Sequence, residues 1–585
     1  MNFITKKLNI KLFLLLLVYV NCSLTLFSQV TIGVTEEANK GSLLQLKNEQ
    51  GVTDDAANAS KGLLLPRVNL SEKYELFPMF LKDPTDITSG RTTEYNTNKK
   101  DYDLQHTGLM VYNMNEDYEK DLCLGVNTWD GEKWNCAHYA TYDYEMDCST
   151  IKVSGLYYKN EDLDSSHKIT LRIRADEKME GKTYYIKTDE IDGISFFAQG
   201  KITSAAATAE GQEVVMKGKG KSTNREIKRF TLTANNTSGQ TCSATVVVVI
   251  PTKKVLVLAD GYDYGYNISK VGTGSYGIFT TSNNFGVTEE SVIKYEGTRF
   301  MNDETPFLKN YPGPGALDVG ALKAADIANL EYALLNAPEG EKIDIVILSQ
   351  DVYLVELLTQ KDELARVLAE FVNRKGVLIA LYEGNGHFQN NLQDDIGTDR
   401  RGSTTSLLQK IWGQTTNDFG YSAKINLGSG AVYPLTDVDD EILNGPFGDV
   451  RKQYWGEDAS WARGVKNIPL NDIIVYSYGN TVASNDAGLA KMITGFRHKT
   501  KNFIYFGDGG FTSSTFSGEN PTSTSTTMHP LYWKNEGGKK YIPIAKSGYG
   551  KHSTKYPVYN SVLFANIMAW AVYQAEMNGI NPPQD

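Results

Sequence analysis

The sequence predicts a multidomain chain: a β-rich N-terminal module, a β-sandwich, and a C-terminal α/β domain built on a parallel sheet. Three observations predict it. The 585 residues exceed what one hydrophobic core serves, so several domains are expected. Residues 146–251 alternate apolar and polar side chains with a period of two, punctuated by glycines. Beyond residue 252, short apolar strands alternate with helical spacing, the pattern of parallel strands joined by crossover helices. The assignments are a signal peptide over 1–28, the β-rich module over 29–145, the sandwich over 146–251 and the α/β domain over 252–585.

The first segment reads as an export signal. Lys6, Lys7 and Lys11 precede the apolar run from Leu12 to Val20, which is too short for a stable bilayer-spanning helix. Ser28-Gln29 offers a small-residue cut site. Cys22 raises a lipoprotein alternative, but Asn21 before it is bulkier than such sites take, which favours cleavage near Ser28. No later stretch is apolar enough to cross a membrane, so the mature chain is expected to be exported, without a transmembrane segment, at the cell surface, outer membrane or outside the cell. A net charge of −11 argues against nucleic-acid partners and anionic membranes.

Export permits disulfides. Cys123, Cys136, Cys148 and Cys242 follow the signal, and four cysteines allow three connectivities. Spacing favours Cys123–Cys136 as a local staple and Cys148–Cys242 as a clamp between the first and last strands of the sandwich. A zinc site is disfavoured because no Cys-x-x-Cys pair is present.

Within the first module, Thr128-Trp-Asp-Gly-Glu-Lys-Trp134 is a tight turn with an indole on each side, suited to capping a small core or, less often, to stacking on a sugar. This segment, Gly62-Leu-Leu-Leu-Pro-Arg-Val68 and Gly108-Leu-Met-Val-Tyr-Asn113 occur in an order that resembles the N-terminal modules of exported surface proteins of Bacteroidetes. In the second domain, the cadence from Gly181 to Thr188 and from Gly193 to Phe196 resembles immunoglobulin-like repeats of bacterial surface proteins, which implies a spacer. Pro251-Thr-Lys-Lys254 is expected to be the hinge into the last domain.

In that last domain, strands are expected at 254–260, 343–348, 377–381, 473–478 and 502–506, with helices over 320–335, 364–373 and 562–576. The segments 344–349, 368–380, 442–448, 504–511 and 564–571 together resemble the class I glutamine-amidotransferase-like superfamily, especially its trehalose-utilisation-like branch, and imply a flavodoxin/amidotransferase-like fold. Catalytic members of that superfamily carry a cysteine on a strand-to-helix elbow. Here the elbow reads Tyr382-Glu383-Gly384-Asn385-Gly386-His387, and no cysteine follows Cys242, so thiol-dependent amide chemistry is excluded. Ser349 and Ser403 lack the Gly-x-Ser-x-Gly setting of a serine nucleophile.

Acids after strands remain: Asp260, Asp351, Glu383 and Asp508, with Asn385 and His387 beside the elbow. Open parallel sheets bind ligands beyond the carboxyl ends of their strands. Carboxylates gathered there would favour a hard cation, calcium or magnesium, or an acid/base pair. The plainer alternative is that these acids cap helices and make turns. Gly272-x-Gly274-x-x-Gly277 matches a dinucleotide fingerprint only in letters, and Asp437-x-Asp439-Asp440 lacks the glycine and closing glutamate of a calcium loop.

The expected function is a surface-associated binding protein whose amidotransferase-like domain has lost the cysteine mechanism, with a glycan or surface protein as partner. The alternative is an extracellular glycoside or ester hydrolase using Glu383, Asp508 and His387. A purely structural assembly subunit would instead expose a large apolar patch.

Overall fold

The computed structural model describes residues 30–39, 42–51, 56–259, 268–302, 324–349, 362–381, 403–416, 418–426, 430–458, 461–479, 488–514, 528–550 and 555–581. The chain is β-rich and divides into two compact units, residues 1–142 and 143–585.

In the first unit, β1 (Val30–Ile32) pairs in parallel with β2 (Leu44–Leu46), in the register Val30↔Leu44 and Ile32↔Leu46. A four-stranded sheet follows, ordered β3 (Arg67–Val68), β4 (Met110–Asn113), β5 (Gly125–Trp129) and β6 (Trp134–Cys136). Helix α1 (Thr93–Gln105) starts where the Thr92 side chain accepts from Tyr95 N. Trp129 and Trp134 face each other across β5 and β6, both buried, with ring centroids 5.4 Å apart. Their indole N–H groups donate to Asp103 O and Glu75 O. The paired tryptophans are therefore the core of this sheet and not a sugar platform. Cys123 and Cys136 are bonded, as spacing favoured.

The second unit opens with one antiparallel seven-stranded sheet, ordered β13-β12-β9-β10-β11-β8-β7. In chain order these are β7 (Tyr144–Ser154), β8 (Lys168–Ala175), β9 (Thr183–Thr188), β10 (Ile194–Lys201), β11 (Gln212–Gly220), β12 (Lys228–Ala234) and β13 (Cys242–Val246). The all-β, period-two expectation holds, but the strands form a single rolled sheet. Its two edge strands, β7 and β13, meet and are joined by Cys148–Cys242. The Gln240 side chain closes the seam further: Oε1 accepts from Met146 N at 2.8 Å and Nε2 donates to Met146 O at 2.9 Å. Rolling buries one face of every strand and hides edges that would otherwise recruit other chains.

A nine-stranded mixed sheet follows. Its parallel part, in spatial order, comprises β15 (Thr298–Phe300), β14 (Lys253–Ala259), β16 (Ile345–Ser349), β17 (Val377–Leu381) and β22 (Phe503–Phe506). It continues antiparallel through β21 (Ile493–His498), β19 (Trp461–Lys466) and β18 (Tyr421–Asn426), with β20 (Ile473–Tyr478) also paired to β21. β16, β17 and β22 are buried at every position, as strands covered on both faces must be.

Alternate side chains feed two separate cores. Val257, Ile347, Ile379 and Phe506 pack with α2 (Gly274–Thr280) and α6 (Asn560–Met577). Leu256, Val346, Leu378 and Tyr505 pack with α3 (Ala324–Glu331), α4 (Glu363–Asn373) and α5 (Ser403–Trp412). α6 is apolar around its whole circumference and almost wholly buried, which follows from its place inside the molecule. Among the described residues no helix is long and apolar enough to cross a membrane.

The expected hinge is instead a fastened junction. Ile250 is buried, its N–H donates to Lys294 O, and its carbonyl accepts from Glu296 N, each at 2.9 Å. Buried Glu576 of α6 pairs with Lys253 at 2.6 Å and with Arg225, beside the rolled sheet, at 2.7 Å.

Two further motifs acquire physical meanings. Gly274 and Gly277 lie in the helix Gly274–Thr280, where a Cβ on them would stand 2.3 Å from Trp533 and 2.2 Å from Tyr541. They permit close aromatic packing. Asp437, Asp439 and Asp440 are ion-paired with Lys452, Arg451 and Arg497, respectively.

Candidate functional site

β22 delivers Gly507-Asp508-Gly509-Gly510 to the carboxyl end of the parallel strands. The glycines are required by crowding. A Cβ on Gly507 would stand 1.9 Å from Arg463 O, and one on Gly510 would stand 2.4 Å from Asp458 Cβ. Asp508 is completely buried and caps the short helical turn Gly509–Thr512, Oδ1 accepting from Gly510 N at 3.0 Å. That is the capping role the plainer reading assigned. Oδ2, however, is buried without a hydrogen-bond partner. Burial first, then the carboxylates of Glu457 and Asp458, push the Asp508 carboxyl well above the ordinary range, against the opposing pull of the Gly510 and Asp458 amides. Asp508 therefore holds its proton more tightly than an exposed carboxyl does.

The two neighbouring acids arrive from another element. The short strand Tyr454–Gly456 pairs with Val432–Pro434 and ends at Glu457-Asp458. Glu457 is completely buried; Oε2 accepts from Tyr433 Oη at 3.2 Å and Oε1 from Ala431 N at 3.3 Å. Its carbonyl accepts from the Tyr549 hydroxyl. Asn560, the first residue of α6, binds the two loops together. Its Oδ1 accepts from Gly456 N at 2.9 Å, and its Nδ2 donates to Gly456 O and Phe511 O at 2.9 and 3.1 Å. The result is three buried carboxyl groups converging beside one turn, a setting in which each polar oxygen needs a partner.

Asp260, Asp351, Glu383, Asn385 and His387 lie outside the described residues, so of the predicted ligand-binding residues Asp508 alone is placed here. Sequence reasoning missed Glu457 and Asp458, whose signal was an acid pair directly after an aromatic strand. It also missed Ser513 and His529, which adjoin the turn capped by Asp508. Among the described residues no group of three or more His, Cys, Asp or Glu side chains could hold a metal ion, so the calcium or magnesium expectation gains no ligand set from Asp508 and its neighbours.

Neither the curated proteins nor the solved structures yield a match to this chain. Residues 31–153, which cover most of β7 and the described part of the first unit except Val30, match the model of a family described as a phage tail like trimerisation region, and over that stretch the chain is similar to it.

Proposed function

We propose that this protein is an exported, surface-associated binding protein that self-associates as a trimer through its N-terminal region and presents the mixed-sheet domain to a glycan or surface protein. The observation that carries self-association is the face of the β1–β2 ribbon. Residues paired across parallel strands share a face, so Val30, Ile32, Leu44 and Leu46 stand together, and all four are exposed, Ile32 by 55% and Leu44 by 54%. A two-stranded ribbon does not bury its own apolar face. The similarity of 31–153 to a trimerisation region supports two further copies of this chain as its cover. Two disulfides accord with an oxidising compartment outside the cytoplasm.

The strand order, with helices on both faces of a parallel run, supports an amidotransferase-like α/β domain for 252–585, and the Asp508 surroundings support ligand binding at its carboxyl rim. Light scattering of the mature chain should give three times the chain mass, and Ile32→Asp with Leu44→Asp should return the monomer with an unchanged melting profile. A monomeric wild type would defeat the self-association reading. A glycan array on the trimer, compared with Asp508→Ala, tests the rim: a bound glycan whose affinity ignores the loss of this carboxyl places the ligand elsewhere.

A further inference from the structure

A hydroxyl and an imidazole meet beside the buried acids. Ser513 follows the turn Gly509–Thr512; its N–H donates to Gly510 O at 2.8 Å and its carbonyl accepts from Leu531 N at 3.2 Å. These bonds fix Ser513 against the segment that carries His529. Ser513 Oγ lies 2.9 Å from His529 Nδ1. His529 adopts φ +58, a left-handed conformation uncommon for a non-glycine residue. Its carbonyl accepts from the buried Lys546 ammonium at 2.9 Å. Asp458 backs onto Gly510 and exerts an attractive field on the imidazole, while Lys546 opposes it. Burial lowers the imidazole pKa, which keeps His529 neutral and able to accept a proton.

We propose that Ser513 is a nucleophile activated by His529, with the Asp458 carboxylate as a neighbouring charge, and that this site cleaves carboxylic esters. A nucleophile within hydrogen-bond reach of its base is what such chemistry requires, and the pair is recognised by geometry and not by a fixed sequence motif. The chain order here is acid, serine, histidine. Ser513 Oγ bonds to the acyl carbon as its proton passes to His529 Nδ1. The bond from acyl carbon to alkoxy oxygen breaks, and the leaving oxygen takes that proton and departs as an alcohol. Water then attacks the acyl-serine, His529 accepts its proton and returns it to Oγ, and a carboxylic acid is released. Ser513 is completely buried and His529 only half-buried, so the ester must approach from the imidazole side. The proposal stands independently of self-association.

The test uses the full mature chain with a fluorophosphonate probe and with p-nitrophenyl acetate. Peptide mapping should find the phosphonyl adduct on Ser513. Acetate release should fall by about 10³-fold or more in Ser513→Ala and in His529→Ala. Asp458→Asn should lower kcat more than it changes KM and move the acid limb of the pH–rate profile to lower pH, because the attraction that favours the imidazolium is gone. A purely structural Asp458 would leave that limb in place. Folded wild-type protein that takes no label at Ser513, or that releases acetate no faster than Ser513→Ala, overturns the proposal, and the labelling result requires no variant to fold.

Discussion

Asp508 has two oxygens in unlike surroundings, one bonded to Gly510 N and one buried without a hydrogen-bond partner. A carboxyl whose folded pKa is raised binds its proton more tightly folded than unfolded. Stability therefore falls as pH rises through the unfolded value near 3.9 and continues to fall until the folded pKa is reached. Asp508→Asn imitates the protonated acid, so its melting temperature at pH 8 should exceed wild type by about 2–4 °C, a gap that closes toward pH 4. His498 has the opposite logic. It is buried, its Nδ1 accepts from Thr500 N and Lys501 N, and burial followed by the Lys501 charge lowers it to about 4. The unfolded imidazole, near 6.5, protonates first, so stability declines as pH falls from about 6.5 to 4, by up to about 3 kcal/mol. Denaturant midpoints at pH 7 and pH 4.5 check this, and His498→Asn should flatten the difference. Asp508 was legible in the sequence because a strand-end acid between glycines is a local pattern. Glu457, Asp458, Ser513 and His529 were not, since a loop beside a short antiparallel strand, a helical turn and a left-handed residue meet only in three dimensions.

At the scale of elements, the apolar runs were strong signals. Val377–Leu381 begins and ends where its apolar residues do, because a strand buried on both faces has no polar residue to blur its limits. The rolled sheet was less legible. Period two reveals a half-buried strand but not whether seven of them form two layers or close on themselves. Closure depends on Gln240 and Cys148–Cys242, long-range features that no strand pattern encodes. Paired Cys148→Ser and Cys242→Ser substitutions should cost about 2–4 kcal/mol, read from the urea midpoint. The dinucleotide-like glycines of α2 make a sharper case. Gly277→Ala sets a methyl against the Tyr541 ring, and a loss of about 1–3 kcal/mol is expected in the same measurement.

For the whole molecule, the junction around Glu576 decides whether the rolled sheet and the mixed sheet unfold together. One buried carboxylate answers two cations, Arg225 and Lys253. Glu576→Gln leaves both cations without their counter-charge, and about 3–5 kcal/mol should be lost. Calorimetry should then resolve two transitions for this unit, against one expected for the wild type. Composition gave no hint of this fastening, since Arg225, Lys253 and Glu576 come from distant parts of the chain and each alone reads as a solvated charge.

The Cys148–Cys242 bond also determines where tension would run. A pull applied between residues 143 and 251 enters at β7, crosses the two sulfurs and leaves through β13, so the 94-position loop between the cysteines lies off the load path. That loop would otherwise pay out roughly 300 Å of chain. While the bond is intact the rolled sheet behaves under traction as a short, nearly inextensible link, and a reductant would turn it into a long tether.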